Sequence, residues 1–406
     1  MTRPPPVAAV AAGVALAVLV AVEVTRATAP PVAPVDPSTF LDPAALQAAL
    51  DHRTPLRWVA VAAALLRAGT AIAVVWWVAR RRGAGVVAGR LRLLRVGLAA
   101  AALWAATDLV RVPLRLWAWR RAVDVGLSTQ ELAGWARDWL VESVPYWIGV
   151  ALAVAGAAWV RERWPTAWVP IAGVAGGVVG AVLVVLSPLL FEPLLFDLRP
   201  LEPGGLRDGI DELVERTGGG GDADVLVADA SRRTTASNAY VSGIAATRRI
   251  VLYDTLIDEA PEGEVLAIVA HELGHDLHHD VERAAVSLVA VAVLTAWAVD
   301  RVVAGRLTGA DGRVSTRGAV TAIGLVVVLA VVFGPVERWS SRRAEAAADA
   351  AALALLEDPG DYGSMLRGLA RRNLSDPAPP PWAVGLFHSH PPIASRIARA
   401  ASGQAP

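Results

Sequence analysis

His271-Glu272-Leu273-Gly274-His275 is the stretch whose residue types and spacing most directly imply chemistry. On a helix, the i, i+4 spacing stacks His271 and His275 on one face, about one turn apart, where both imidazoles can grip one metal ion. Glu272 sits one residue round from His271, off the His–His edge and placed to take a proton from a water on that metal. The bland alternative is a chance match on an exposed helix. Such a match arises in roughly one chain per hundred or fewer of this length and histidine content. Val265, Leu266, Ile268, Val269 and Leu273 supply an apolar helical face, and Pro261 marks a helix start just upstream.

A hydrolytic zinc site has three protein ligands and one open position for water, so two histidines leave one ligand to find. His278 and His279 are close, but at i+3 and i+4 from His275 on one straight helix they point away from the metal. Glu345 and Asp349, again i, i+4 on an alanine-rich stretch, are the better pair. One carboxylate can bind metal while the other orients a ligand histidine. A solvated, salt-bridged helix surface is the competing meaning of such charges. Spacing alone does not separate the two. The last two apolar runs, however, form a hairpin, and a hairpin returns its ends to one place, bringing Glu345 toward the histidine helix.

The elements that position these residues belong to a membrane protein. Hydrophobic residues make up 55% of the 406 and charged residues only 19%, and mean hydropathy is +0.46. We therefore expect a polytopic α-helical membrane protein with about seven transmembrane helices, and from the His271–His275 motif an inserted α+β zincin-type (gluzincin) protease domain. The runs lie near Val7–Val22, Trp58–Ala79, Val96–Leu116, Val144–Val160, Trp168–Phe196, Ala284–Val299 and Ala319–Val336. The expected division is a membrane domain over 1–196, a metalloprotease domain over 197–283, a transmembrane hairpin over 284–336, and the rest of the protease domain over 337–406. Within the polar stretch, Leu206–Thr217 reads as a helix and Gly218–Gly221 as a break. Val225–Val227, Asn238–Ser242 and Ile250–Tyr253 read as strands.

Other classes are excluded by composition. Net charge is zero and every fixed side-chain cation is an arginine, which gives no reason to invoke nucleic acid. With no cysteine, disulfides, thiolate ligands and cysteine nucleophiles are absent. Arg3, an apolar run and Ala27-Thr28-Ala29 imitate a signal peptide. The run is long for one and Pro30 would directly follow the cut, so an uncleaved first span is expected.

These residues together resemble the integral-membrane CaaX prenyl protease 1 family of zinc metallopeptidases, and more distantly the HtpX-type membrane proteases. The resemblance runs from Pro188 onward, through Pro188-Leu189-Leu190-Phe191, Leu198-Arg199-Pro200-Leu201 and Ser237-Asn238-Ala239-Tyr240. It continues in Arg249–Leu256, His271–His275, Ser341-Arg342 with Glu345 and Asp349, and His390-Pro391-Pro392 with Arg396-Ile397. It implies one Zn2+ per chain held by His271, His275 and Glu345, with Glu272 as general base and Asp349 behind the ligands. Asn238, His390 and Arg396 would hold the substrate, and the spans would enclose a large chamber. One departure stands out. Where the family has Phe-Gly-Phe-Asn after the third span, this chain reads Val125-Gly126-Leu127-Ser128, so prenyl-CaaX specificity does not follow.

The expected function is membrane-embedded zinc metalloendopeptidase activity on a peptide or protein that is membrane-associated or lipidated, by CaaX-type or quality-control processing. Glu272 takes the proton of zinc-activated water and delivers it to the departing amine. His390 and Arg396 are the candidates to stabilise the oxyanion. Asn238, on an edge strand, can pair an extended peptide. A catalytically inactive scaffold or a metal-responsive transporter on the same spans is the alternative. The first needs the loss of Glu272 or a ligand, and none is lost; the second leaves Asn238, Glu345 and Arg396 idle. Asp108 and Arg111 in the third span are expected either to pair or face a hydrated interior, or to leave Arg111 snorkelling. The lipid bilayer is the remaining partner and the cell membrane the expected location. Arg80, Arg81, Arg82, Arg90, Arg92 and Arg95 between spans two and three mark a cytoplasmic loop. Counting forward, 197–283 lies outside the cytoplasm, whereas the resemblance implies the cytoplasmic side.

Overall fold

The computed structural model describes residues 6–26, 32–81, 91–218, 224–243, 248–309 and 311–402. Arg3, Arg82, Arg90, the Ala27-Thr28-Ala29 stretch and most of the 218–221 break fall outside the described residues. In chain order the membrane part opens with α1 (Pro6–Val24), α2 (Pro43–Arg80), α3 (Arg92–Leu109), α4 (Val112–Asp124), α5 (Leu132–Arg163) and α6 (Trp168–Leu195). The polar insertion follows as β1 (Leu198–Pro200), α7 (Gly205–Arg216), β2 (Asp224–Ala228), β3 (Ala239–Ser242), β4 (Arg249–Tyr253), α8 (Asp254–Glu259) and α9 (Glu262–Leu277). Then come α10 (Asp280–Leu307), α11 (Thr316–Leu355), α12 (Pro359–Arg372), α13 (Pro381–Phe387) and α14 (Ile393–Ser402).

Six of these helices are long and apolar enough to cross a membrane, or seven if α3 and α4 count as one bent span. That bend corrects the continuous third span expected over Val96–Leu116. The chain turns by 40° between α3 and α4, because Pro113 sits at the start of α4. Its ring removes an amide donor and crowds the carbonyl four residues back, so α3 cannot continue. The fourth span, short in the sequence, is part of the 32-residue α5.

Between α6 and α10 the backbones nearly touch. A Cβ on Gly177 would fall 2.5 Å from Val289 Cα. In lipid, where hydrophobic burial no longer drives association, such small-residue contacts hold helices together.

The insertion forms a four-stranded sheet in the order β1-β2-β4-β3. β2 and β4 run parallel, whereas β1 and β3 pair antiparallel at the two edges. Strand β1 was not legible, since three residues with an exposed Arg-Pro carry no alternation. The core of the insertion lies between this sheet and the helices α7, α9 and α12, with Ile210, Ile250, Leu252, Val265, Val269, Leu273 and Leu366 packed inside. The hairpin α10–α11 descends through the membrane and returns, and the C-terminal turns of α11 enter this core through Ala352.

Three helix ends meet at the far end of the bundle. Arg92 pairs with Glu162, and Arg92 Nη1 also donates to Val314 O at 3.0 Å. Val314 N donates to Glu162 Oε1 at 2.9 Å. The starts of α3 and α11 and the end of α5 therefore share one membrane face, opposite the polar insertion.

Candidate metal centre

Helix α9 forms because its apolar residues recur at helical spacing. Val265, Ile268, Val269 and Leu273 are buried against the sheet and α12, while Glu262 and Glu264 place negative charge in the first turn, where the helix dipole favours it. The opposite face carries His271 and His275, with ring centroids 4.9 Å apart. Helix α11 lies across that face. Gly274 makes the approach possible, because a Cβ there would stand 2.7 Å from Ala348 O and 2.9 Å from Ala348 Cα. A side chain would push α11, and Glu345 with it, away from the imidazoles.

Glu345 Oε2 stands 3.2 Å from His271 Nε2, and Oε1 stands 3.5 Å from His275 Nε2. One donor atom from each residue lies within 4.8 Å of the other two. Tetrahedral ligands about 2 Å from a zinc ion are separated by roughly 3.3 Å, so both pairs have the separation of metal ligands. Glu345 Oε2 is buried without a hydrogen-bond partner, as an atom reserved for a cation would be. The donor set, two imidazoles and a carboxylate, is that of hydrolytic zinc sites. The residues fit the metal.

Electrostatics point the same way. Burial pulls the His275 imidazole down, but the Asp280 and Glu345 carboxylates outweigh it and raise it to about 10. For His271, burial is likewise overcome by the approach of Asp349 and Glu345. The site is built to draw positive charge. Burial raises the Glu272 carboxyl above the usual range against the pull of both imidazoles, and that carboxyl accepts a hydrogen bond from the Val241 backbone N–H.

Behind the three candidate donors lies a buried network. His271 Nδ1 stands 3.2 Å from Asp349 Oδ1. Asp349 in turn accepts from Arg396 Nε at 3.1 Å, from Arg396 Nη2 at 2.7 Å and from the Tyr362 hydroxyl. Arg396 is only 7% exposed. Its guanidinium, expected on substrate, is engaged by Asp349 and Tyr362 in this structure. His275 Nδ1 meets Asp280 Oδ2 at 2.9 Å. Sequence reasoning missed Asp280 and Tyr362. Asp280 reaches back only because His279 adopts a left-handed conformation, φ 52°, between α9 and α10. That kink also turns His279 outward toward Glu282, 3.9 Å away, so neither it nor His278 joins the ligand cluster.

A cavity of about 460 Å³ lies beside the cluster, with His271 in its wall. Glu272, Asn238 and His390 line it, together with Arg53 and Arg57 of α2. Asn238 is exposed, immediately before the edge strand β3. His390 Nε2 lies 3.1 Å from Glu345 Oε1 with its side chain 59% open, so the structure brings it to the metal cluster and the cavity at once. The 125–130 segment that departs from the resemblance docks close by. Thr129 N donates to Arg233 O at 3.1 Å, and Thr234 Oγ1 donates to Leu127 O at 2.8 Å. This segment thus borders the loop that enters β3.

Comparison with known proteins agrees with this architecture. The family model for peptidase family M48 matches residues 200–403. A Bacillus subtilis (strain 168) protein named uncharacterized metalloprotease YhfN is 30% identical over 304 residues, covering 72% of this chain and 70% of that one. An Arabidopsis thaliana CAAX prenyl protease 1 homolog is 32% identical across 56% of this chain, which spans about half, 54%, of that relative. Among solved structures, S. mikatae Ste24p superimposes with a TM-score of 0.70 over 98% of this chain and 99% of that chain, at 20% identity. The shared fold therefore takes in the spans as well as the protease domain.

Proposed function

The chain belongs to peptidase family M48, and from that membership we propose a zinc endopeptidase of the cell membrane that cleaves peptides at His271, His275 and Glu345. The observation that carries this reading is the convergence of those three donors beside a cavity that His271 and Glu272 both line. A bound zinc ion would polarise the scissile carbonyl and lower the pKa of water beside it. Glu272 accepts the proton of the attacking water and returns it to the leaving amine. Asp349 and Asp280 hold the two imidazoles in their ligating orientation, and Arg396 and Tyr362 keep Asp349 in place. His390 faces the cavity, where it donates to the oxyanion or holds the substrate. Asn238 and β3, the last strand of the sheet, offer an edge to an extended peptide. The substrate is a membrane-associated or lipidated peptide, taken by CaaX-type or quality-control processing. The names of the CAAX prenyl protease 1 relatives favour the first, while Val125–Ser128 leaves prenyl selectivity for a substrate assay.

Purified protein should contain one zinc per chain, and a chelator should abolish peptide hydrolysis until zinc is restored. In the same assay His390→Ala should lower kcat by roughly ten- to a thousandfold at unchanged zinc content. Unchanged kinetics would make His390 an ordinary turn residue, and chelator-resistant hydrolysis would end the metal reading.

We place the end of the bundle opposite the protease domain in the cytoplasm. Arg80, Arg81, Arg92 and Arg95 lie at that end, joined there by Arg161, Arg163, Arg313 and Arg317 of the other connections. Arginine in short connections sets orientation. The resemblance implies the reverse. A reporter active only in the cytoplasm, fused after Pro406, is expected to stay dark, because α14 packs into the protease core through Ile397. A bright fusion would establish the cytoplasmic orientation instead.

A further inference from the structure

Strand β3 shows the cavity only part of its outer edge. Tyr253 N donates to Asn238 O at 3.0 Å, and the register sets Ala239 opposite Leu252 and Val241 opposite Ile250. Hydrogen-bonded pairs alternate along an antiparallel ladder. Asn238, Tyr240 and Ser242 therefore face β4, while Ser237, Ala239 and Val241 turn their N–H and C=O outward. Two of those three are engaged. The Val241 N–H bonds the Glu272 carboxylate. Ser237 N donates to Asn373 Oδ1 at 2.9 Å, and Asn373 Nδ2 donates to Ser237 O at 3.0 Å. The side-chain amide offers the same donor and acceptor as a peptide group, so it stands where a neighbouring strand would pair. Ser237 is buried, and a buried backbone needs such partners. Ala239 lies between the two engaged residues, and Ser237, Asn238, Ala239 and Asn373 all line the cavity.

Asn373 is held firmly in that place. It closes α12, and Leu374 after it adopts a left-handed conformation, φ 44°. Arg53 of α2 grips both residues: its Nη2 donates to Asn373 O at 2.7 Å and its Nε to Leu374 O at 2.9 Å. Arg57, about one turn further along α2, pairs with Asp376. Hydrogen bonds from a charged donor are the stronger kind. Two arginines on successive turns of one long helix thus brace the loop that carries the amide.

We propose that Asn373 is a specificity-determining residue that ends the substrate's pairing with β3 at Ala239. A peptide on this edge exchanges its two backbone hydrogen bonds with Ala239 and bends away from β3 before Ser237, because the Asn373 amide fills the next position. This rests on the peptidase reading above. It narrows the substrates to peptides free to leave the extended conformation beyond that one paired residue.

The test uses full-length protein, zinc-loaded, in phosphatidylcholine nanodiscs. The probe is an apolar pentapeptide amide with a hydroxamate at its N-terminal end. The hydroxamate chelates the metal, so the chain runs away from it, antiparallel to β3, which runs from Ser237 toward Val241 and Glu272. Each backbone nitrogen of the probe is methylated in turn, and affinity is read by equilibrium dialysis. In wild type, methylation opposite Ala239 should weaken binding roughly tenfold or more, the effect of a lost hydrogen bond in a buried site. Methylation two residues farther from the metal, opposite Ser237, should change nothing. In Asn373→Ala that second position should become sensitive by a similar factor at unchanged zinc content. Asn373→Asp, which fills the same space and still accepts from Ser237 N, should leave it silent. A merely structural role would shift every probe together without moving the sensitive position. The wild-type scan tests the block by itself if Asn373→Ala fails to fold. Sensitivity at both positions in wild type, sensitivity at neither, or a second position still silent in Asn373→Ala overturns the proposal and leaves the peptidase reading intact. Failure of the unmethylated probe to bind overturns both.

Discussion

Glu272→Gln is expected to keep its full complement of metal and lose turnover by roughly 10²–10⁴-fold, the contribution of a positioned general base. The substitution preserves size and shape. It also preserves an acceptor oxygen for the Val241 N–H that now bonds the carboxylate. It removes only the capacity to take a proton. Glu272 is not one of the three residues whose donor atoms converge, so the ligand set survives. The check is elemental analysis beside kcat on the same preparation. Retained turnover would show that another group moves the proton, and lost metal would show that Glu272 is itself a ligand.

Glu345→Ala should have the larger effect, lowering metal content well below one per chain and reducing hydrolysis to background. Glu345 supplies the only carboxylate of the cluster and bridges both imidazoles, 3.2 Å from one and 3.5 Å from the other. Without it, two imidazoles remain, one ligand short of a hydrolytic site. Asp349→Asn provides the graded comparison. It leaves the ligands in place but weakens the hold on His271, which should cost roughly 10–100-fold in metal affinity or activity. If Glu345→Ala keeps stoichiometric zinc and full activity, the third ligand lies elsewhere. His390, 3.1 Å from Glu345 Oε1, would then be the first candidate, because His279 is turned outward.

Much of the site was legible because its parts are local. The His271/His275 pair and the Glu345/Asp349 pair each rest on one helical turn, and a turn has a fixed period. The apolar face of α9, the strands β2 and β4 and the long spans follow from periodicity in the same way. The break between α3 and α4 was missed although Pro113 announces it, since the hydropathy of the run hides the proline. The contact of Gly177 in α6 with α10 was missed because a glycine's use becomes visible only when the facing helix is known.

What the sequence determined by itself was therefore the chemistry on offer: a metal-binding helix, an acidic helix, a membrane-spanning scaffold and no thiol. The tertiary structure decided how those pieces meet. Gly274 against Ala348 sets how closely α11 approaches α9. The left-handed turn at His279 decides that Asp280, rather than His278 or His279, attends His275. Arg396 shows the same division. Its presence was readable, but its partner was not. Only the packing of α14 on α12 and α11 delivers it to Asp349 and Tyr362, because a buried charge must be paired and the pairing crosses 47 residues of chain.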